Sequence, residues 1–168
     1  MRTSLLLVAL LTLLSSCSKT VIYIVRHGEK VGEADTTNLS PAGFARAAAL
    51  ADTLAGKGID SIFSTPFRRT RQTAEPLAKR TGLRIVDYPA KPTEAIVRRL
   101  GKIRGKTVLV VGHSNTILEI AKGLGTQPTM STIESGDFDN LFRVQIIRGP
   151  FVHSTTLLQR TYGQITPP

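Results

Sequence analysis

The sequence predicts an α/β fold, a three-layer sandwich with a mostly parallel central sheet flanked by helices. Three observations carry that expectation. Short β-rich runs alternate with helix-like segments from residue 20 onward. One run, "KTVLVVGHS" at 106–114, is almost continuously apolar, as a central parallel strand buried on both faces must be. The segments are separated by helix-start and glycine-stop signals, with no repeats or low-complexity linkers between them.

The elements follow in order. "TVIYIV" is short and β-rich, which predicts a first buried strand. In "SPAGFARAAALADTLAGKG", Ser40 is placed as N-cap and Pro41 at the first helical position, with glycines at the end. "IDSIFST" reads as a second strand and "RRTRQTAEPLAKRTG" as a second helix ending at Gly82, with Pro76 predicting a kink or a break. "LRIVDY" is a third strand, and "TEAIVRRLGKIRG" a third helix opened by Thr93. After the apolar fourth strand comes a helix, "NTILEIAKGLG". Two late strands, "NLFRVQIIRG" and "FVHSTTLLQRTYG", turn at Gly149-Pro150.

Residues 1–16 stand apart from this domain, which is expected over 17–168. Arg2 precedes an apolar run that is short for a membrane span and ends in small residues, the plan of an export signal. "LSSC", Leu14 to Cys17, is similar to the lipobox of bacterial lipoproteins, in which the cysteine becomes the lipid-bearing first residue. Cys17 is the single cysteine, so it has no internal disulfide partner. The expected location is therefore the cell envelope, tethered by lipid to a bacterial membrane.

The formal net charge is +10. Such an excess fits nucleic acid, an anionic membrane or a phosphorylated substrate. Aromatic residues make up 5% of the chain and no nucleic-acid-reading pattern occurs, which disfavours the first. No His-x-x-x-His pair or cysteine cluster offers a metal site, and no cofactor is expected.

Ligands of open α/β sheets sit beyond the carboxyl ends of the parallel strands. Arg26 and His27 follow the first strand, "STPFRR" follows the second, and His113 follows the fourth. Two of the three histidines and at least two arginines are thereby predicted on one rim. Guanidinium forks match phosphate oxygens, and a neutral imidazole can attack phosphorus. His153, in a late strand without a motif, reads as structural.

Four motifs in order, "RHGE", "LSPAG", "STPFRRTRQTA" and "VGHSN", resemble the histidine phosphatase superfamily, with its phosphoglycerate mutase-like fold, across roughly residues 20–125. The resemblance implies that His27 is the nucleophile that becomes phosphohistidine and that Arg26 binds phosphoryl oxygens. The spacing from Pro66 to Thr73-Ala74 places the second phosphate-binding arginine at Arg69, with Arg68 and Arg71 as neighbours. His113 would complete the pocket, and Gly28 and Gly112 would let backbone approach the phosphate. The family's proton donor commonly follows the third strand. Glu94 is the candidate here, with Asp137 and Asp139 as alternatives.

The chain is too short to hold the insertions of the mutases, so the resemblance is to the small phosphatase branch. It implies a metal-independent phosphatase acting on a small phosphorylated substrate or a phosphoprotein. Two rivals stay open: a non-catalytic phosphate- or headgroup-binding lipoprotein, and a phosphatase acting on an envelope phosphate.

Overall fold

The computed structural model describes residues 17–167; the predicted signal segment and Pro168 lie outside the described residues. The chain runs β1 (Ser18–Arg26), α1 (Pro41–Leu54), β2 (Ser61–Ser64), α2 (Arg68–Thr81), β3 (Ile85–Asp87), α3 (Glu94–Lys102), β4 (Thr107–Gly112), α4 (Ser114–Gly123), β5 (Asn140–Arg148) and β6 (His153–Thr161). One six-stranded sheet has the order β3-β2-β4-β1-β5-β6. The first four in that order are parallel, while β5 pairs antiparallel with β1 and β6 antiparallel with β5. The expected mostly parallel α/β sandwich is the observed one.

The strands sort their side chains between two cores because successive residues of a strand point to opposite faces. Ile22 and Ile24 of β1, with Val108 and Val110 of β4, pack with Ile96, Leu100, Ile117 and Ile120 from α3 and α4. Val21, Tyr23 and Val25, with Leu109 and Val111, face Leu50, Leu54, Ala74 and Leu77 from α1 and α2. β1 over Val21–Val25 and β4 over Val108–Val111 are continuously apolar because both of their faces are covered. β6, at the sheet edge, alternates exposed and half-buried residues instead.

The helix starts follow local chemistry. Ser40 caps α1, its hydroxyl accepting from the Gly43 N–H at 3.2 Å, and Pro41 opens the helix. Pro76 neither breaks nor splits α2, which continues to Thr81 and is closed by Gly82 in the left-handed conformation. β3 is shorter than expected, three residues, since it pairs at the sheet edge with β2, itself only four residues long. His113 belongs to no strand. β4 stops at Gly112, and His113 is the N-cap of α4, its backbone N–H bonded to Thr116 Oγ1 at 3.0 Å.

Two glycines let the first loop pack down on α1. A Cβ on Gly43 would lie 2.1 Å from the Glu29 carbonyl oxygen, and one on Gly28 2.9 Å from the Gly43 carbonyl oxygen. Packing against α1 therefore requires glycine at 28. At Gly112 likewise, a Cβ would meet Ile117, Thr116 and Tyr88 at 3.0 Å.

Candidate active site

The carboxyl ends of β1, β2 and β4 converge on one cavity of about 830 Å³. Arg26, His27, Arg69 and His113 line it together, with Glu29, Glu33, Phe67, Phe138, Ser114 and Asn115. Arg26 and His27 arrive as β1 ends beside Gly112 of β4, fixed by the His27 N–H to Gly112 carbonyl bond at 3.0 Å. Arg69 arrives in the first turn of α2, and His113 at the start of α4. The first amides of α4 at Ser114 and Asn115 are an anion-binding element in their own right, because helix N-termini leave N–H groups unpaired.

His27 is 3% exposed, and its Nδ1 lies 2.7 Å from the Gly28 carbonyl oxygen. A carbonyl can only accept, so Nδ1 carries the proton and the Nε2 lone pair is left free. Burial, assisted by the nearby Arg26, His113 and Arg69, pushes the imidazole down to about 3, although the Gly28 bond opposes it. The ring is therefore neutral at physiological pH, which a nitrogen nucleophile requires. Its ring centroid is 5.4 Å from that of His113.

Burial also lowers His113, with Arg69 and Arg26 adding to the effect, to about 4. Its Nε2 bonds to Thr65 Oγ1 at 2.9 Å. The Thr65 hydroxyl donates to Thr70, so the neutral His113 ring donates from Nε2 and keeps Nδ1 as the remaining acceptor. Phe67 packs edge-on against the His113 ring at 5.0 Å.

The two arginines are held from behind. Arg26 Nη1 donates to the carbonyls of Glu134 at 2.7 Å and Asp137 at 2.8 Å, and its guanidinium stacks on Phe138 at 4.0 Å. Arg69 is held more loosely, 3.3 Å from the Asp35 carbonyl and 3.8 Å from the Asp35 carboxylate, over the Phe67 ring. The Nε atoms of both arginines are buried with no hydrogen-bond partner among the described residues. Donors of this kind are costly to bury unpaired, so they point to an acceptor that belongs between them.

Arg68 and Arg71 take no part. Both are exposed and line a second, smaller cavity, and Arg71 pairs with Asp87. Glu94 does not line the site either: it opens α3 with its side chain in solvent, so the sequence-based proton donor is corrected. Helix geometry explains this, because Ile96 and Leu100 take the inward face and leave Glu94 outside. Of the alternatives, Asp137 uses its carbonyl to hold Arg26, and the Asp139 carboxylate accepts from the Thr166 N–H at 2.9 Å. His153 opens β6 at the other end of the sheet, opposite Arg148, and is exposed.

Two acidic residues that the sequence reading left aside do line the cavity. Arg46, 3% exposed, grips Glu29 through Nε at 3.0 Å to both carboxylate oxygens and through Nη2 at 2.7 Å. Arg46 also donates to the carbonyls of Tyr162 and Gln164, tying the first loop to the end of the chain. Burial raises the Glu29 carboxyl, but its bonds to Arg46 prevail and the net shift is downward. Glu33 is paired with Lys30, which lowers it as well. Thr73 completes the frame, accepting from the Gly28 N–H at 3.0 Å and donating to the Arg69 carbonyl at 2.7 Å. Glu29 lies in "RHGE", but Arg46 lies three residues beyond "LSPAG", and nothing in the spacing shows that the two pair.

Comparison with known proteins supplies independent context. The family model for the histidine phosphatase superfamily (branch 1) matches residues 22–90. The uncharacterized protein Rv0525 of Mycobacterium tuberculosis is 36% identical over 78 residues, 42% of this chain and 39% of that protein. The match thus spans about two fifths of that relative's length. Among solved structures, mycobacterial hydrolase 2 superposes with a TM-score of 0.72 at 16% identity, covering 88% of this chain and 93% of that one. The protein histidine phosphatase SixA complexed with tungstate gives 0.68 at 20% identity, covering 84% and 96%. Mycobacterial glucosyl-3-phosphoglycerate phosphatase Rv2419c gives 0.61 at 17%, covering 77% and 91%. The segment matched by the family model contains Arg26, His27 and Arg69, and the fold is shared with these solved structures over most of the chain.

Proposed function

We propose that the chain is a metal-independent phosphatase that hydrolyses phosphate monoesters or a phosphoprotein through a phosphohistidine on His27. The observation that carries this reading is the neutral His27 ring, its Nδ1–H tied to Gly28, facing a cavity it shares with Arg26, Arg69 and His113.

The Nε2 lone pair adds to phosphorus while the bond from phosphorus to the leaving oxygen breaks. Positive charge grows on the ring as it does so, and the Gly28 carbonyl at Nδ1–H stabilises it. Arg26 and Arg69 hold the phosphoryl oxygens with donors already in place, which is where charge shifts during transfer. A phosphate dianion favours a second proton on His113, turning Nδ1 into another donor to it. Water then takes the phosphoryl group, the P–N bond breaks, and His27 returns to its neutral form.

The leaving oxygen needs a proton unless it is stable as an anion. Glu29 and Glu33, the carboxyls among the described lining residues, are both held ionised by cationic partners. That favours substrates whose leaving group departs without help from an acid.

The export signal and lipidation of Cys17 place the enzyme at the envelope in this reading. Cys17 is exposed and free at the start of β1, open to modification. Incubation of the full chain with a radiolabelled phosphate ester, quenched in alkaline detergent, tests the chemistry. The wild type should retain acid-labile phosphate, and His27→Ala should retain none and lose turnover by more than about a hundredfold. Labelling that survives His27→Ala would refute the nucleophile. Mass spectrometry of the N-terminus tests the anchor, which an unmodified Cys17 would refute.

A further inference from the structure

The two ends of the central sheet have different chemistry. The cavity opens where the parallel strands end, at Arg26, His27 and His113. The opposite end holds Cys17, packed against the β5–β6 turn. A Cβ on Gly149 would lie 3.4 Å from Cys17 Sγ and 3.2 Å from Val152. Phe151 at the tip of that turn is 94% exposed and Val152 45%. Adjacent in the chain, the two make an exposed apolar tip.

Cations gather at the same end of the sheet. Arg148, opposite Ser18 in the β1–β5 ladder, and Arg104 both donate to the carbonyl oxygen of Gly101, at 3.2 and 2.8 Å. Among the described residues neither guanidinium has a carboxylate partner, and one buried nitrogen of Arg148 has no hydrogen-bond partner. Lys19 is exposed on the neighbouring strand. The acid at this end, Asp60, is already occupied by Lys106 at 2.9 Å. An apolar tip at the same end as cations without carboxylate partners complements an anionic bilayer, which takes the aromatic side chain into its interface and the charges among its headgroups.

We propose that this end of the sheet, with Phe151 and Val152 at its tip and Arg104 and Arg148 beside Cys17, docks on an anionic membrane surface and points the catalytic cavity away from it. The anchoring part rests on the lipidation reading above, while the apolar tip and the cation pair are independent of it. The consequence is a substrate class. From Ser18 to Arg26 the strand runs eight steps of about 3.3 Å, roughly 26 Å, about three screening lengths at physiological salt. The cavity can reach neither the headgroups nor their potential, so its substrates are soluble phosphorylated molecules and not phosphorylated lipids of the membrane it rests on.

The sequence contains no tryptophan, so one introduced indole reports from one place. The full chain carrying Phe151→Trp, or Phe44→Trp at the cavity end of α1, is reconstituted into vesicles of phosphatidylglycerol and phosphatidylcholine with brominated acyl chains. Both positions are exposed, at 94% and 47%, and tolerate the change. Emission of the Phe151→Trp variant should fall by about half or more, and that of Phe44→Trp should not change. Replacing phosphatidylglycerol by phosphatidylcholine, or adding Arg104→Ser and Arg148→Ser, should relieve the quenching. Quenching of Phe44→Trp instead, or of neither variant, overturns the proposal.

The same readout on a Cys17→Ser background separates the two readings, because it depends on neither activity nor acylation. Quenching that persists in Cys17→Ser, together with an unmodified Cys17 in the native protein, refutes the anchor and keeps the face. A lipidated Cys17 with an unquenched Phe151→Trp refutes the face and keeps the anchor. In a turnover arm, the reconstituted wild type should hydrolyse a water-soluble aryl phosphate and leave phosphatidic acid in its own vesicle intact. Preferential hydrolysis of the phosphatidic acid would overturn the orientation.

Discussion

Replacing Arg69, Arg68 and Arg71 one at a time by alanine distinguishes a built pocket from a merely basic surface. Net charge treats the three alike, since each loses one cation close to the same helix start. The structure does not. Arg69 is 9% exposed, its Nε is buried without a partner, and its contacts to Ala34 and Asp35 are long, 3.3 to 3.8 Å. Such loose anchoring leaves its fork free to take phosphoryl oxygens, and contributes little to folding. Losing one preorganised donor to a transition state costs about 3–4 kcal/mol, so Arg69→Ala should fall by a factor of roughly 100 to 1,000 in kcat/KM. Arg68 and Arg71 are exposed, and the Arg71–Asp87 pair is worth at most about 1 kcal/mol in stability. Each should lose no more than a few-fold in rate, through weaker steering that added salt abolishes. The assay is steady-state hydrolysis of one aryl phosphate at two salt concentrations, with thermal melts to exclude unfolding. Equal losses at all three positions would refute the pocket; so would a normal Arg69→Ala.

Three further outcomes follow. His27 and His113 are held neutral by burial in the folded state, at about 3 and 4 against 6.5 when exposed, so the unfolded chain binds the extra protons first as pH falls. Their stabilisation is complete above 6.5 and declines below it, by about 4 kcal/mol between pH 7 and pH 5 for the pair. Melting temperature should therefore drop over that range, less steeply in His27→Gln, and a flat profile would contradict the burial. Glu94→Gln should keep the wild-type rate, while rates across a series of aryl phosphates should fall steeply as the leaving phenol becomes more basic; a shallow dependence would reveal an acid in the site. Arg46→Met strands the Glu29 carboxylate and should cost about 2–4 kcal/mol in chemical denaturation, with Glu29→Gln restoring part of it in the double variant; additive losses would show that the clamp is not coupled.

Much of this molecule was readable before any coordinates, because local and periodic signals agreed. Buried parallel strands must be apolar on both faces, so "VIYIV" and "VLVV" announced the sheet centre. Placing reactive side chains just past those strands then put His27 and His113 on one rim, since parallel strands share an end. The spacing that selected Arg69 over its neighbours corresponds to the face of α2 that turns inward, where Thr73, Ala74 and Leu77 are also buried. What the sequence could not determine was set by contacts between distant segments. Glu94 carried the right charge after the right strand, yet the helix placed its apolar residues inward and left it in solvent. Glu29 faces the cavity ionised because Arg46, seventeen positions away, pairs with it, and Arg46 is held in turn by carbonyls more than a hundred positions further on. Arg26 is aimed by the carbonyls of Glu134 and Asp137. The tautomer and neutrality of His27 likewise depend on how deeply the assembled fold buries the ring. Spacing along a chain encodes which face a residue takes, but burial and charge pairing depend on which remote groups meet it, and that is decided only when the sheet is assembled.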